Sequence, residues 1–321
     1  MKQTVKLTAG ICALALLAAC GGGGADKAES KSDVSATASS VSETKGQPTM
    51  SVAAAATPVP GQAVRLTLTL TGADGKPLGP DDIATQHEHK VHVMIVDSAL
   101  EDYTHVHGEP GAQPGQWTVS FTPKYPRQYR VWADFKPAGK EQDGHAHDHG
   151  KSDHGDEGHS HDKAGHDHGE GSHGQEDADA HNLTPSVTLN VGADKGPEVA
   201  ATQTLSTKVD GYTLTLSLGG ALTADAHTPA TLTVADGTGA PLDSLEPLMG
   251  AYAHLVGFSA DGTTMVHGHP EGAEPKDATA RGGPALAFEL HPSVAGPHRV
   301  FVQVKIGGKV ITAPFTLVVA N

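Results

Sequence analysis

The feature that most constrains the fold is an internal repeat written in short, alternating segments. Pro77-Leu78 recurs as Pro241-Leu242, Arg130-Val131-Trp132 as Arg299-Val300-Phe301, and Pro185 as Pro314. Lys136 through Gly139-Lys140 recurs as Lys305 through Gly308-Lys309. His92 with His105-Val106-His107 recurs as His254 with His267-Gly268-His269. Between these marks apolar and polar residues alternate with period two, as in Val64 to Leu70, Thr118 to Thr122, Tyr129 to Phe135, Ser186 to Val191, Tyr212 to Leu218, Ala230 to Val234, Arg299 to Val304 and Phe315 to Val319. Turn residues separate them, among them Asp74-Gly75, Asp236-Gly237, Asp261-Gly262 and Gly307-Gly308. Half-buried strands read this way, and a series of them broken by turns predicts antiparallel β-sandwiches. The expected fold is therefore all-β, with two tandem sandwich domains at residues 48–192 and 204–321 joined by a linker at 193–203.

The repeat also explains the least ordinary segment. In the second copy, Gly307-Gly308-Lys309 is a tight turn before the last strand; in the first, residues 141–181 stand in that turn. Ser186 to Leu189 is needed as the closing strand of domain 1, so the segment reads as an insertion in a hairpin. Closure entropy grows only logarithmically with loop length, so such an insertion is tolerated. With almost nothing apolar in it, it is expected to be disordered.

The N-terminus reads as an export signal. Lys2 and Lys6 precede an apolar run from Leu7 to Ala18, too short to span a bilayer. Leu17-Ala18-Ala19-Cys20 resembles the lipobox of bacterial lipoproteins. The resemblance implies a signal peptide at 1–19, lipidation of Cys20 and, with Gly21 next, an anchor in the outer membrane facing the periplasm. The only other cysteine, Cys12, falls within the leader, so the exported chain would have no disulfide and no thiolate metal site. Residues 20–47 are Gly, Ala, Ser and charged residues with no apolar period, and read as a disordered tether.

The formal charge of −15 argues against a nucleic-acid partner, which needs a basic face. Cations suit this chain better. The insertion holds ten histidines, His145, His147, His149, His154, His159, His161, His166, His168, His173 and His181, among twelve acidic residues and two lysines. Neutral imidazole is a good ligand for zinc, copper and nickel, and the carboxylates supply a cation-attracting field. A solvated polar loop accounts for the acids and glycines but not for the histidines. Several loosely held ions are expected there, released as imidazole protonates near pH ~6.5.

The repeated histidines are a second candidate. Val93 to Val96 and Thr104 to His107 read as a hairpin in domain 1. In domain 2 a two-residue Asp261-Gly262 loop would pair Ala260 with Thr263 and set His254 opposite His269. His92, His105 and His107 would then converge on one ion, and His254, His267 and His269 on another. The competing reading is a structural histidine cluster repeated by duplication alone. His87 and His89 could add ligands. Met94 and Met265 lie two residues from His92 and His267 and could share their faces, where thioether with imidazole would favour Cu(I); Met94 reads more as core filler, and His227, His291 and His298 show no partners in sequence. Zn(II) is favoured, then Cu(II) or Cu(I), with Ni(II) also compatible.

The His-X-His followed by Pro110 or Pro270, then Trp117-Thr-Val-Ser-Phe and Tyr129-Arg-Val-Trp-Ala-Asp-Phe, resembles the FixH-like and YtkA-like periplasmic Ig-like β domains. The resemblance implies Ig-like sandwiches and heavy-metal handling, but supplies no ligand set. Three functions compete. The first is a lipoprotein that binds, buffers or delivers transition metals, with a metal transporter or efflux component as a compatible partner. The second is an envelope adhesion or interaction module with metal sensing. The third is a three-histidine metallohydrolase, disfavoured because no catalytic motif accompanies the histidines; the chain is expected not to be an enzyme.

Overall fold

The computed structural model describes residues 47–138 and 182–321. Cys20, the leader and nearly all of the tether lie outside the described residues, as do the ten insertion histidines from His145 to His181.

Domain 1 contains β1 (Thr49–Ala54), β2 (Val64–Thr71), β3 (His92–Asp97), β4 (Tyr103–His107), β5 (Glu109–Pro110), β6 (Gln116–Phe121), β7 (Gln128–Asp134) and β8 (Ser186–Asn190). They form two four-stranded sheets, in the orders β1-β2-β6-β5 and β4-β3-β7-β8. Alternation drives the packing. In β2, Val64, Leu66, Leu68 and Leu70 are buried while Arg65 stays outside. They meet Val93, Ile95, Val131 and Val187 of the facing sheet, with Trp117 and Phe121, in one core.

Domain 2 repeats the plan with β9 (Ser206–Val209), β10 (Tyr212–Leu218), β11 (Thr228–Ala235), β12 (Ala253–Ser259), β13 (Met265–Gly268), β14 (Ala285–Leu290), β15 (Gly296–Ile306) and β16 (Lys309–Val319). Its sheets run β14-β11-β10-β9 and β13-β12-β15-β16, so the second sheet matches β4-β3-β7-β8 strand for strand. Leu214, Leu232 and Phe288 pack against Leu255, Val302 and Phe315 between them. The fold is all-β, two tandem Ig-like antiparallel sandwiches.

Two strands depart from alternation. Every residue of β3 and of β12 is buried. Val93 and Ile95 enter their own domain's core, but Met94 and Val96 point the other way. There they join Leu100, Tyr103, Trp132, Val256, Phe258 and Phe301 in a third cluster that belongs to both domains. Tyr103 and Phe301 stack across it with ring centroids 4.6 Å apart. A sheet covered on both faces has no need of polar alternation. Each large apolar side chain buried there stabilises the docked pair by roughly 1.5–3 kcal/mol.

Three details differ from the sequence reading. β1 and β14 are full strands that the turn-and-alternation pattern did not single out. The Asp261-Gly262 turn is wider than a two-residue loop: Ala260 N donates to Pro297 O instead of pairing with Thr263, and the Asp261 carboxylate accepts from Ser259 Oγ and Thr263 N. The register survives, because Ser259 N still bonds Thr264 O at 3.2 Å. The stretch 193–203 is not a free linker throughout. Arg127, buried against Asp97 at 2.6 Å and Glu101 at 2.8 Å, also holds Asp194 at 3.2 Å.

β7 pairs with β8 from Gln128↔Asn190 to Trp132↔Ser186. The described residues on either side of 139–181 are thus the two arms of one hairpin.

Candidate metal centre

The shared cluster changes character along its strands. On β3 the outward face reads His92, Met94, Val96; on β12 it reads His254, Val256, Phe258. The apolar ends make the docking core, and the histidine ends meet beside it. Hairpin register adds the rest. His92 faces His107 and Met94 faces His105. In domain 2, Leu255 faces Gly268 and Val256 faces His267, so one step further His254 lies opposite His269.

Rings from both domains interleave. His105 lies 5.1 Å from His254 and 5.2 Å from His267 between ring centroids, and His92 lies 5.4 Å from His267. His87 packs on His269 at 3.8 Å and His89 stacks on His107 at 3.5 Å. Corresponding pairs repeat closely: His92–His107 and His254–His269 are both 4.8 Å, and His92–His105 at 5.5 Å matches His254–His267 at 5.9 Å. The two halves are related by a local pseudo-twofold.

Matching turns hold the lone histidines. Gln86 and His89 bridge a turn whose central residues, His87 and Glu88, have φ of 46° and 71°. Leu248 and Ala251 bridge its counterpart, with Met249 at 50° and Gly250 at 79°. The turns touch: a Cβ on Gly250 would lie 2.8 Å from both Cα and Cβ of His87. Each turn offers a carbonyl to the histidine six residues on. His92 Nε2 donates to Gln86 O at 3.2 Å, and His254 Nε2 donates to Leu248 O at 2.8 Å.

Those bonds assign protons. With Nε2–H engaged, the neutral rings of His92 and His254 carry their lone pairs on Nδ1. His267 is set the other way: its Nδ1 lies 2.6 Å from the Asp134 carboxylate and bears a proton toward it, so Nε2 is its other nitrogen. Among the described residues, His254 Nδ1, His105 Nδ1 and His267 Nε2 are buried and have no hydrogen-bond partner. His107 Nε2 and His269 Nε2 are in the same condition. Desolvation pushes His92 down to about 4, and His107 and His254 to about 3, with repulsion between the rings adding to it. His105 and His269 are driven below the usual imidazole range by the same causes. These five rings are neutral at pH ~7, the state that binds metals.

Three sets of nitrogens lie within 4.8 Å of one another: His92, His105, His107; His92, His267, His269; and His105, His254, His267. The domain 1 triad of the sequence reading is one of them. The expected separate triad of His254, His267 and His269 is not; its members group with His92 or His105 instead. Strand pairing placed the side chains on one face as expected, but docking of the two sheets merged both sets into a single cluster. Met94 and Met265 pack in the apolar part, as filler. His227 stacks on His291 at 4.2 Å and contacts Glu289, and His298 Nδ1 donates to Gly296 O, so none of the three lacks a partner.

Asp134 was missed in the sequence. It lies at the end of β7, beside His92 in register, and reaches across the interface to His267. Asn182 Nδ2 donates to its other oxygen at 2.9 Å, and Gln86 Nε2 donates to Asn182 Oδ1 at 3.1 Å. Its signal was an aspartate closing the strand face that also carries Arg130 and Trp132.

This architecture defines a tandem β-sandwich protein with a histidine-lined domain interface. A family described as Domain of unknown function (DUF8832) matches residues 43–147 and 207–321, one stretch in each sandwich. Together these cover more than half of the chain, which belongs to that family. No curated protein matches. Among solved structures, the chain is similar to invasin, a bacterial integrin-binding protein, at 14% identity over 83% of this chain and 39% of that one, with a TM-score of 0.20. It therefore spans about two fifths of that structure. The D0-D1 domain of intimin is 12% identical over 88% of this chain and 99% of that one, at a TM-score of 0.20. A Salmonella alpha-2-macroglobulin mutant is 13% identical over 87% of this chain and 15% of that one, at 0.24.

Proposed function

We propose that this protein binds transition-metal ions, zinc foremost and copper next, at the histidine-lined interface between its sandwiches. One observation carries the reading: histidines from both domains group within 4.8 Å of one another, and several of their buried nitrogens have no hydrogen-bond partner among the described residues. Each unsatisfied buried polar atom costs about 1–3 kcal/mol. An ion that accepts several of these lone pairs at once offsets that cost.

The spacing suits zinc. His92 Nδ1 and His105 Nε2 lie 3.3 Å apart. Tetrahedral Zn–N bonds of about 2.0–2.1 Å place neighbouring nitrogens about 3.3–3.4 Å apart. The same contact, taken as a hydrogen bond from His105 Nε2 to His92 Nδ1, satisfies both of those nitrogens and leaves His105 Nδ1 without a partner among the described residues.

In this reading the lipobox puts the protein at the bacterial envelope, where it buffers or delivers ions. The histidine-rich insertion at 141–181 is a second, looser reservoir, proposed from its composition. The ions are cargo or structural ligands, and the protein is not an enzyme. Elemental analysis of untagged protein tests the proposal, alongside His254→Ala/His267→Ala. The wild type should retain zinc or copper through gel filtration, and the double variant should lose about one equivalent. Equal metal content in the two proteins refutes the interfacial site.

A further inference from the structure

The pseudo-twofold equates Asp134 with Gln303. Asp134 pairs with His92 in the β3–β7 ladder, and Gln303 pairs with His254 in the β12–β15 ladder. Each therefore sits beside the lone histidine of its own domain. Asp134 reaches across the interface and fixes His267 through Nδ1. The partner of His267 under the same operation is His105, one step along the outward face of β4.

At that second position both halves of the expected bond are present and unsatisfied. Among the described residues His105 Nδ1 is buried without a partner, and so is Gln303 Oε1. The amide is held at its other end, where Gln303 Nε2 donates to Thr312 Oγ1 at 3.1 Å. Gln303 is 8% exposed and His105 also 8%, so water does not readily serve either atom.

We propose that Gln303 is the orienting partner of His105, accepting its Nδ1–H as Asp134 accepts that of His267, so that two imidazoles from opposite domains aim Nε2 lone pairs at one divalent-ion site. This rests on the metal-binding reading above. Histidines that ligate metals commonly give their second nitrogen to a carboxylate or carbonyl, which sets tautomer and ring angle. Here one partner is charged and the other neutral. His105 and His267 group with His254, whose Nε2 is held by its turn carbonyl, so this set brings imidazoles from both domains together, chemistry that suits a borderline divalent ion such as Zn(II) or Co(II).

The amide could face His105 either way round, and glutamate resolves this. A carboxylate only accepts, so Gln303→Glu keeps the arrangement if His105 carries its proton on Nδ1. Full-length protein is used, with the ten insertion histidines replaced by asparagine so that the interface alone is read. Zinc affinity is measured by chelator competition, and the coordination by the visible spectrum of the Co(II) form. The expectation is that Gln303→Leu weakens zinc about 10–100-fold and alters the Co(II) bands, while Gln303→Glu binds at least as tightly as the parent. Thr312→Val removes the amide's one other bond among the described residues, and should change thermal stability but not the Co(II) spectrum. If the parent binds zinc but Gln303→Leu matches it in affinity and spectrum, or Gln303→Glu is as weak as Gln303→Leu, the orienting role is wrong. If the parent takes up neither ion, the metal reading itself fails, and this inference with it.

Discussion

His267 Nδ1 of the second sandwich lies 2.6 Å from Asp134 Oδ2 of the first, and both side chains are almost fully buried. This polar contact crosses between the domains and puts a proton on Nδ1 of His267. Asp134→Ala removes the acceptor and leaves Nδ1–H stranded. Zinc affinity is expected to fall about 10–100-fold, read by chelator competition, while Asp134→Glu should recover part of it.

Protons compete with metal for the same nitrogens. In the metal-free protein, His92 is held at about 4 and His254 at about 3, against an unfolded value of 6.5. Below 6.5 the unfolded chain takes up protons that the folded chain refuses, so the stabilisation present above 6.5 is lost as pH falls from about 6.5 toward 4. Urea midpoints of chelator-treated protein should therefore drop between pH 7.5 and pH 5. His92→Phe/His254→Phe should flatten that slope.

Gly250 is required twice over, by its φ of 79° and by the 2.8 Å approach to His87. Gly250→Ala should destabilise the protein by about 1–3 kcal/mol and push the two turns apart. Denaturant unfolding measures the first effect, and weaker zinc binding the second. Gly239, whose added Cβ would meet nothing, makes a control at a comparable φ of 87°.

Phe258 is fully buried in the docking core. Phe258→Ala should cost about 3–5 kcal/mol. Because the loss falls on the interface as well as on one strand, the two sandwiches should unfold in separate calorimetric transitions. Zinc at about 100 times its dissociation constant should restore about 2.7 kcal/mol and draw the transitions together.

Much of this was legible in the sequence. Alternation located most strands, and the repeat located the duplication and the hairpin that carries the insertion. The lone and paired histidines were visible, together with the register that sets His254 opposite His269. What was not legible was the docking of the two sheets. Period two says which residues share a face, but not what covers it. The clue lay in Val91 to Val96 and Ala253 to Phe258, apolar on both faces except for a histidine. An unbroken run of that kind marks a strand buried on both sides. Asp134 and Gln303 were missed for the same reason, since their importance depends on contact across a domain boundary. The wide turn at Asp261 arose because Ala260 bonds to β15, a tertiary choice that turn chemistry does not encode.

The most direct test is X-ray absorption at the zinc edge on full-length protein loaded with one equivalent, with every insertion histidine replaced by asparagine. An ion held between the sandwiches predicts a shell of nitrogen or oxygen at about 2.0–2.1 Å with the outer-shell signature of several imidazoles, abolished by His105→Ala/His267→Ala. Zinc that fails to bind this protein, or that keeps the same shell when both histidines are gone, would contradict the shared interfacial site.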